Sequence, residues 1–348
     1  MAYSSIVKPT DYFNTNIWTG NGSSQSITGV GFQPDFIWFK NRDNGTRYHV
    51  LFDVVRGTNK VIYSNDTAAE ATTTTQLTSF DSDGFSISSD ANVNENTSGI
   101  VAWNWLGANG TASNSDGSIT STVSANTTAG FSIVSYTGTG STATIGHGLG
   151  SAPLITLIKQ RSSGGTGSGA WNFITYQIDG SSDELTLNGT GAKADRSITA
   201  PTSSVFSVDT SDERNDSGQT YICYCFAEKK GYSKFGSYTG NGNADGTFVY
   251  TGFKPAWLMY KQTNASGESW IIHDSKRGNQ GAGANPQDLR LLANASNTEA
   301  DEDIDFLSNG FKCRVSGAFQ NGSGSTYIYM AFAENPFVAN DSGTAVPV

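Results

Sequence analysis

Hydrophobic and polar positions along the chain form short runs that indicate β-strands rather than helices. Residues 85–88 and 131–135 alternate with a period of two, which is the spacing of side chains on a half-buried strand. Residues 327–333 are apolar on both faces, as expected of a strand inside a sandwich. Clusters of Gly, Asn, Asp and Ser separate the runs and supply turns. Only residues 286–292 predict a helix, and that helix is short.

The same landmarks occur three times in the same order, so the chain contains a threefold repeat of about 100 residues. Each repeat opens with an aromatic residue followed by Thr-Gly-x-Gly, and a Pro and a Lys follow at near-constant spacing. The Lys lies six residues after the Pro in every repeat. The aromatic residues are Trp18, Tyr136 and Tyr238, the prolines are Pro34, Pro153 and Pro255, and the lysines are Lys40, Lys159 and Lys261.

Later landmarks extend the repeat and distinguish its middle copy. Asp-x-x-Arg-Gly begins at Asp53 and Asp274, whereas the middle repeat lacks it. A polar turn begins at Asn96, Asn215 and Asn321, and an aromatic-rich run then closes each repeat. We expect the glycines to allow tight turns with positive φ, and the prolines to mark strand starts or edges. We expect each Asp-x-x-Arg pair to form a local salt bridge that fixes a loop.

A repeat of this length is a plausible domain. The pattern therefore predicts an all-β protein of three tandem antiparallel β-sandwiches, roughly of jelly-roll type, with short helical pieces. Phe332 in the last closing strand is predicted to be a core residue, as are its equivalents Trp105 and Phe226. The predicted segments are a first sandwich with an N-terminal extension (1–107), a Ser/Thr/Gly-rich linker (108–129), a divergent second sandwich (130–230) and a third sandwich with a C-terminal tail (231–348).

The composition is that of a folded, acidic protein. The 348 residues include 19 Phe, 14 Tyr and 7 Trp, which argues against disorder. The net charge of −10 argues against a general nucleic-acid binder. No apolar run approaches the roughly 18–20 residues of a membrane span, so we expect no membrane insertion. Three cysteines and no signal-peptide pattern predict synthesis in a cytoplasm.

Residue types that carry catalysis are few. His49, His147 and His273 fall at non-equivalent places in the repeats. His273 precedes Asp274, but neighbours on a strand point to opposite faces, so no His–Asp dyad is expected. The sequence contains no nucleophile elbow, His-Glu-x-x-His or P-loop. We therefore predict no catalytic residues, no cofactor and no enzyme, although paired carboxylates are a three-dimensional property that sequence leaves open.

Acidic turns and two cysteines are the remaining candidates for metal binding. Asp81 and Asp83, together with residues 301–303, offer hard oxygen ligands for calcium. Neither group fits an EF-hand loop, so we interpret both as solvated turns and predict no metal site. Cys223 and Cys225 share one face of an apolar run, where a role as small buried hydrophobes is expected.

The first repeat also resembles a known kind of domain. Its series runs through Lys8-Pro9-Thr10-Asp11-Tyr12-Phe13, Trp18-Thr19-Gly20-Asn21-Gly22, Gly31-Phe32-Gln33-Pro34, Phe52-Asp53-Val54-Val55-Arg56-Gly57 and Val101-Ala102-Trp103-Asn104-Trp105. It is similar to a repeat domain common in poorly characterised structural proteins of tailed bacteriophages, especially those of marine bacteria and cyanobacteria. The resemblance is close in 12–107, good in 232–337 and diluted in 130–230. It implies a virion component without enzymatic activity, and it supplies no binding residues.

The residues and the resemblance together predict a non-enzymatic, exterior structural protein of a tailed-phage particle, made in the host cytoplasm. It would decorate the capsid or form part of a tail or head appendage, contact other virion proteins and form a homo-oligomer. One alternative is a carbohydrate-binding adhesin of the tail-fibre type that binds host surface glycans, marked by an aromatic cluster at the same place in each repeat. Another is a secreted glycan hydrolase or its accessory module, marked by facing carboxylates.

Overall fold

The structure is a computed structural model that describes residues 4, 6–279 and 281–336, and it confirms an all-β fold. The named strands in these residues pair antiparallel. Helical structure in the described residues is limited to single turns. Within the described ranges, no helix is long and apolar enough to cross a membrane.

Repeat 1 forms a large sheet that packs against a small one. The large sheet has the strand order β1-β9-β3-β4-β5-β6 and the small sheet has the order β2-β8-β7. The elements are a 3-10 turn (Pro9–Asp11), β1 (Phe13–Thr19), β2 (Gln25–Thr28), β3 (Phe36–Asn41), β4 (His49–Asp53), β5 (Lys60–Tyr63), β6 (Ala71–Thr72), β7 (Leu77–Asp81), β8 (Gly84–Ile87), α1 (Ala91–Asn94) and β9 (Gly99–Trp105).

Repeat 2 has the same strand order and gains two strands at one edge. Its elements are β10 (Ala112–Asn114), β11 (Ser121–Asn126), β12 (Phe131–Thr137), β13 (Ala143–Gly146), β14 (Ile155–Gln160), β15 (Trp171–Thr175), β16 (Ser182–Thr186), β17 (Ala194–Arg196), β18 (Val205–Val208), α2 (Asp212–Asn215) and β19 (Thr220–Phe226). The large sheet runs β10-β11-β12-β19-β14-β15-β16-β17, and β13 pairs with β18.

The two added strands correct the prediction of a linker at 108–129. Val123 of β11 lies opposite Val134 of β12, and Val123 is buried in an apolar cluster formed by residues of repeat 2. Polar residues such as Thr122 alternate with it and face outward. A polar segment with alternating β-branched residues thus forms strands when a neighbouring sheet edge offers backbone partners.

Repeat 3 again has the same order, β20-β27-β22-β23-β24-β25, and its sheet continues into β26 and β21. The strands are β20 (Ser233–Thr239), β21 (Phe248–Tyr250), β22 (Phe253–Gln262), β23 (Ile271–Asp274), β24 (Gln287–Leu292), β25 (Ala300–Leu307), β26 (Gly310–Cys313) and β27 (Thr326–Pro336). The helix predicted at 286–292 is wrong, because this segment is β24. Leu291 pairs with Ile272 and joins the central core, and in so short an apolar run this pairing decides between helix and strand.

The three large sheets share one core. Their outer faces carry separate apolar clusters, one for each repeat. Their inner faces meet in a single central cluster that draws residues from all three repeats. Trp105, Phe226 and Phe332 lie in it, which confirms the prediction for these residues. The ring of Phe332 lies 5.7 Å from that of Trp105 and 6.0 Å from that of Phe226, between centroids.

A buried asparagine holds the Thr-Gly-x-Gly turn in every repeat. Its side-chain oxygen accepts a hydrogen bond from the residue between the two glycines, at 2.9 to 3.0 Å. A Cβ on Gly20 would lie 2.1 Å from the carbonyl oxygen of Glu95, so the first glycine permits this close approach. The second glycine of each motif has positive φ, as expected. The asparagines are Asn94, Asn215 and Asn321.

This contact also corrects the alignment of repeat 1. The residue equivalent to Asn215 is Asn94 rather than Asn96, because Asn94 and Asn215 each end a single-turn helix. Three residues after the asparagine the backbone has positive φ in all three repeats. That position holds Gly218 and Gly324 in two repeats and Thr97, with φ of 67°, in the first.

The landmark prolines lie where a sheet tolerates them. Pro34 and Pro153 each precede their strand by two residues. Pro255 lies within β22, at a register shift in its pairing with β27. These are positions at which a missing backbone donor does little harm.

Candidate functional site at the seams between repeats

Three seams join the repeats in a closed ring. Seam A lies between repeats 1 and 2, seam B lies between repeats 3 and 1, and seam C lies between repeats 2 and 3. Each seam contains the same backbone hydrogen bond, which is accepted by the carbonyl two residues after the landmark Lys. The pairs are Glu70 N–H to Arg161 at 2.8 Å in seam A, Glu299 N–H to Arg42 at 2.9 Å in seam B and Lys193 N–H to Thr263 at 2.7 Å in seam C.

Each seam also contains one landmark lysine. This shared structural role explains why the lysine keeps a constant spacing from the proline in every repeat. Each of the three side chains is buried and donates from Nζ to a backbone carbonyl of the neighbouring repeat. Burial disfavours the ammonium and lowers the pKa of each lysine to about 8. The contacts are Lys159 to Thr67 at 2.8 Å, Lys40 to Ser296 at 2.8 Å and Lys261 to Thr190 at 3.3 Å.

Seam A also contains a buried ion network. Asp53 and Arg56 have fully buried side chains with 2.6 Å between Oδ2 and Nε. Tyr224 of repeat 2 donates its hydroxyl to Asp53 at 2.8 Å, and burial raises the pKa of Tyr224 well above its ordinary value. Arg56 lies 3.6 Å from Glu70, which accepts two hydrogen bonds from Arg161 at 2.8 and 3.1 Å. The network therefore ties both repeats together.

Seam B repeats that network with a different donor. Arg277 and Asp274 form a fully buried pair at 2.5 Å, and Arg277 reaches Glu299 at 2.7 Å. Glu299 also pairs with Arg42 of repeat 1 at 2.8 Å. Here Trp103 donates its Nε1–H to Asp274 at 2.8 Å, and its ring faces the guanidinium of Arg277. The predicted Asp–Arg salt bridges are thus confirmed in both repeats that carry the motif.

Seam C has replaced every member of the network. Thr175 and Ile178 stand where the other seams have Asp and Arg, and Ile178 packs against the central cluster. Lys193 and Thr263 replace the Glu–Arg pair, and Met330 replaces the Tyr or Trp donor. Because all five positions differ together, no buried charge is left without a partner. The missing Asp-x-x-Arg-Gly of the middle repeat is therefore compensated by residues of the third.

Lys193 is also the centre of an acidic group in repeat 2. Asp179, Asp183 and Asp195 are the one set of carboxylates in the described ranges that lie close enough together to hold a cation. The Nζ of Lys193 lies 2.6 Å from an oxygen of each. The chain thus supplies its own cation to this group.

The histidines lie within the cores, and burial lowers the pKa of all three below the ordinary value. The imidazole of His49 accepts a hydrogen bond from an indole, and that of His147 contacts backbone groups. His273 lies 3.3 Å from the hydroxyl of Tyr260, whereas Asp274 faces the seam. The two adjacent residues therefore point apart, as predicted.

The cysteines and acidic residues considered above as candidates for metal binding have partners within the protein. Cys223 and Cys225 are buried with 3.6 Å between their sulfurs, which agrees with the predicted shared face. Asp83 accepts hydrogen bonds from the backbone of the loop after β2, and Asp81 accepts one from a serine hydroxyl. Residues 301–303 lie in β25 rather than in a solvated turn, so that interpretation is wrong. Glu302 is buried while its two neighbours are exposed, so the three carboxylates do not converge on one point.

Glu302 belongs to a polar cluster inside repeat 3 that sequence reasoning missed. It accepts a hydrogen bond from Tyr260 at 2.7 Å and from Gln320 at 3.3 Å, and lies 2.7 Å from Arg290. Burial raises the pKa of Glu302 to about 7. The positions of Tyr260 and His273 are apolar in repeats 1 and 2, so this cluster is particular to repeat 3. Comparison of the three repeats at these two positions would have shown it.

Exposed aromatic residues differ between the repeats. Tyr48 is 40% exposed and its ring lies 4.9 Å from that of Tyr63. The positions equivalent to Tyr48 hold Ala170 and Ser269. An adhesin is expected to carry an aromatic cluster at the same place in each repeat. The position of Tyr48 does not fulfil this expectation.

The fold and its seams define a class of all-β protein in which three like sheets close in a ring around one core. The chain belongs to the family described as domain of unknown function DUF7483, whose model matches residues 8–336. The matched range includes the three seams and all three repeats. No match to the chain was found among curated proteins.

Proposed function

We propose that this protein is a non-enzymatic structural component on the exterior of a tailed-phage particle, as a capsid decoration or part of a tail or head appendage. The observation that carries this proposal is the closed ring of three like units around one core. The resemblance of the repeats to phage structural domains gives the proposal its biological setting.

The ring presents three similar outer faces in three directions. Each face covers its own apolar cluster. It is a separate small sheet in repeats 1 and 2 and the continuation β25-β26-β21 of the large sheet in repeat 3. Buried polar contacts in the seams fix the faces relative to one another. A rigid set of three contact surfaces suits a partner that is itself repetitive, such as a shell of identical subunits. Each contact then raises the effective concentration of the next, so individual interfaces can be weak.

The test is rebinding of the purified protein to particles that lack it. Binding is measured with and without a chelator, and with host polysaccharide as a competitor. The proposal expects rebinding that neither addition changes. Absence of rebinding, together with tight binding to the polysaccharide, would contradict it. Release of reducing ends from that polysaccharide would contradict the non-enzymatic part.

The second candidate function is a carbohydrate-binding adhesin, and the Tyr48–Tyr63 pair is the observation that favours it. The exposed ring of Tyr48, packed against the half-buried ring of Tyr63, is a suitable surface for the apolar face of a sugar. Asn92 lies beside it, where it accepts the backbone N–H of Tyr48 at 2.9 Å. If this function holds, Tyr48→Ala should abolish binding to host polysaccharide while leaving the melting temperature unchanged. Equal binding by Tyr48→Ala would remove this candidate.

A further inference from the structure

A polar pocket lies in seam A, between repeat 1 and the loop of residues 162–169 in repeat 2. Its volume is about 190 Å³, and all nine residues that line it are uncharged. Thr67 and Ala69 line it from repeat 1, and serines and glycines of the loop line it from repeat 2. The pocket therefore adjoins the buried contact of Lys159 with Thr67.

The loop at this pocket is longer than its equivalents in the other repeats. Each such loop begins at the landmark lysine and ends at a residue whose backbone N–H donates to an asparagine side chain. The end lies 12 residues after the lysine in repeat 2 and nine residues after it in repeats 1 and 3. The additional residues give repeat 2 a loop of its own shape. The three loops run from Lys40 to His49, from Lys159 to Trp171 and from Lys261 to Trp270.

Gln160 lines the pocket, and its hydrogen bonding is incomplete. The residue is only 4% exposed. Its Nε2 donates to the carbonyl of Ser162 at 3.0 Å, which fixes the orientation of the amide. Its Oε1 is buried and accepts no hydrogen bond from any residue that the structure describes. Buried amide oxygens nearly always have a donor, so this oxygen indicates a donor group that the described residues do not supply.

The equivalent side chains of the other repeats have partners. Oδ1 of Asn41 in repeat 1 accepts two backbone N–H groups of its own loop, at 3.0 and 3.1 Å. Nε2 of Gln262 in repeat 3 donates to the side chains of Asn264 and Ser325. The unpaired Oε1 of Gln160 is therefore a feature of the longer loop rather than of the repeat.

Two glycines of the loop lie directly against this amide. A Cβ on Gly165 would lie 2.2 Å from Nε2 of Gln160, and a Cβ on Gly167 would lie 3.0 Å from Oε1. A side chain at either position would displace the amide or the loop. The glycines therefore let the longer loop pass close to Gln160 while the amide keeps its place at the pocket.

The charges around the pocket favour a neutral ligand. The backbone of the loop donates to the carboxylates of Glu213 and Asp216 at 2.6 and 2.9 Å. The ammonium of Lys159 donates to the carbonyls of two residues that line the pocket. The carboxylates disfavour a bound anion, and the nearby ammonium disfavours a bound cation. An uncharged lining between them is suited to a ligand without charge.

Hydroxyl groups match the hydrogen-bonding groups of this lining. The Oε1 of Gln160 only accepts, whereas the hydroxyls of Ser163 and Ser168 both donate and accept. A sugar hydroxyl also does both, so it can donate to Oε1 and accept from a serine. The pocket is smaller than the roughly 300–1,000 Å³ of sites for drug-sized ligands. It is therefore suited to a single sugar ring.

We propose that the pocket in seam A binds one neutral sugar residue, with a hydroxyl of the sugar donating to Oε1 of Gln160. This site is separate from the surface around Tyr48, since neither Tyr48 nor Tyr63 lines the pocket. The inference does not rest on the position of the protein in a particle, because the pocket is formed by two repeats of one chain.

The probes are methyl α-glucoside, methyl α-galactoside and methyl α-mannoside, and binding to the full chain is followed by saturation-transfer difference NMR. The lining offers hydrogen bonds but no aromatic ring, so we expect at least one glycoside to bind with a Kd of about 1–10 mM. Gln160→Met should weaken that binding about tenfold, because it removes the acceptor. Its melting temperature should stay near that of wild type, since an unpaired oxygen is lost together with one hydrogen bond.

Gln262→Met, at the equivalent position of repeat 3, is the matched control and should bind the glycoside like wild type. Tyr48→Ala should also bind like wild type, which separates this site from the surface of the second candidate function. Ala69→Leu narrows the pocket from repeat 1 and leaves Gln160 in place. It should weaken binding as well, and it tests the site even if Gln160→Met fails to fold.

The proposal is overturned if none of the three glycosides binds wild type at roughly 50 mM. It is also overturned if Ala69→Leu or folded Gln160→Met binds like wild type, or if Gln262→Met loses binding to the same extent as Gln160→Met. Calcium chloride and sodium phosphate serve as ionic probes. If one of them shifts the side-chain amide signal of Gln160 and no glycoside does, the pocket is an ion site and the proposal is wrong.

Discussion

Seams A and B differ from seam C in chemistry but share their geometry. All three have the same backbone hydrogen bond and a buried lysine that donates across the seam. Only seams A and B add a buried network of carboxylates and guanidinium groups. The comparison shows that the backbone and lysine contacts accompany the fold itself, whereas the ion network is present or replaced as a complete set. That is the behaviour expected where a half-removed network leaves a buried charge.

Removing one member of a buried ion network should lower the free energy of unfolding strongly, whereas a substitution at the equivalent position in seam C should lower it little. We expect Asp53→Ala to lower the free energy of unfolding by about 3–5 kcal/mol, because it leaves Arg56 buried without its carboxylate. Thr175→Ala, the equivalent change in seam C, should cost about 1–2 kcal/mol, since its hydroxyl donates to the carbonyl of Leu154 and accepts from the N–H of Gln177. Denaturant unfolding of both variants checks this, and equal losses would contradict the contrast between the seams.

The central core should respond alike whichever repeat is changed, unlike the seams. Phe332→Ala is expected to cost about 3–5 kcal/mol through lost burial and a cavity. Phe226→Ala and Trp105→Ala should fall in the same range, because all three rings meet in one cluster. Thermal unfolding is the measurement. An unchanged melting temperature for Phe332→Ala would show that the closing strand does not depend on this ring.

Much of this organisation could be predicted from sequence, but the seams could not. Period-two alternation identified the strands, and the local Asp53–Arg56 pair followed from a spacing of three residues. Lys40 was visible as a landmark, yet its partner is a backbone carbonyl at Ser296, 256 positions away. Every residue has such a carbonyl, so no sequence signal marks that one. The strands at 108–129 were missed because a sheet edge elsewhere, rather than their own composition, decides their structure.

The lysines should give all three seams the same pH dependence. Each folded-state pKa is lowered to about 8 by burial, from 10.5. Above about pH 8 the unfolded chain therefore binds more protons, and the free energy of unfolding should rise with pH. The contribution is about 1 kcal/mol per lysine between about pH 7 and pH 9.

Single variants separate this effect from the ionisation of thiols and tyrosines, which is common to every variant. Lys40→Met, Lys159→Met and Lys261→Met should each remove about one third of the rise, measured by denaturant unfolding at several pH values. If Lys261→Met left the rise of stability with pH unchanged, the lysine of seam C would not contribute as those of seams A and B do, and this prediction would be wrong.

A smaller effect should sharpen the comparison between repeats. Thr97 has positive φ where repeats 2 and 3 have glycine, and this conformation is unfavourable for a β-branched residue. Thr97→Gly should therefore stabilise the protein by roughly 1 kcal/mol. Asn109→Gly, at another position with positive φ, is the control and should gain less, because asparagine tolerates this region. A loss of stability in Thr97→Gly would show that the methyl or hydroxyl group of Thr97 has a further role.

The most direct test is to convert the buried part of seam A into the chemistry of seam C. The variant Asp53→Thr, Arg56→Ile, Tyr224→Met installs the residues found at Thr175, Ile178 and Met330, and its unfolding free energy is compared with that of Asp53→Ala. Because the whole buried set is exchanged, we predict that the triple variant lies within about 1–2 kcal/mol of wild type and is more stable than Asp53→Ala. A triple variant less stable than Asp53→Ala would contradict the account that the seam network is exchanged as one set.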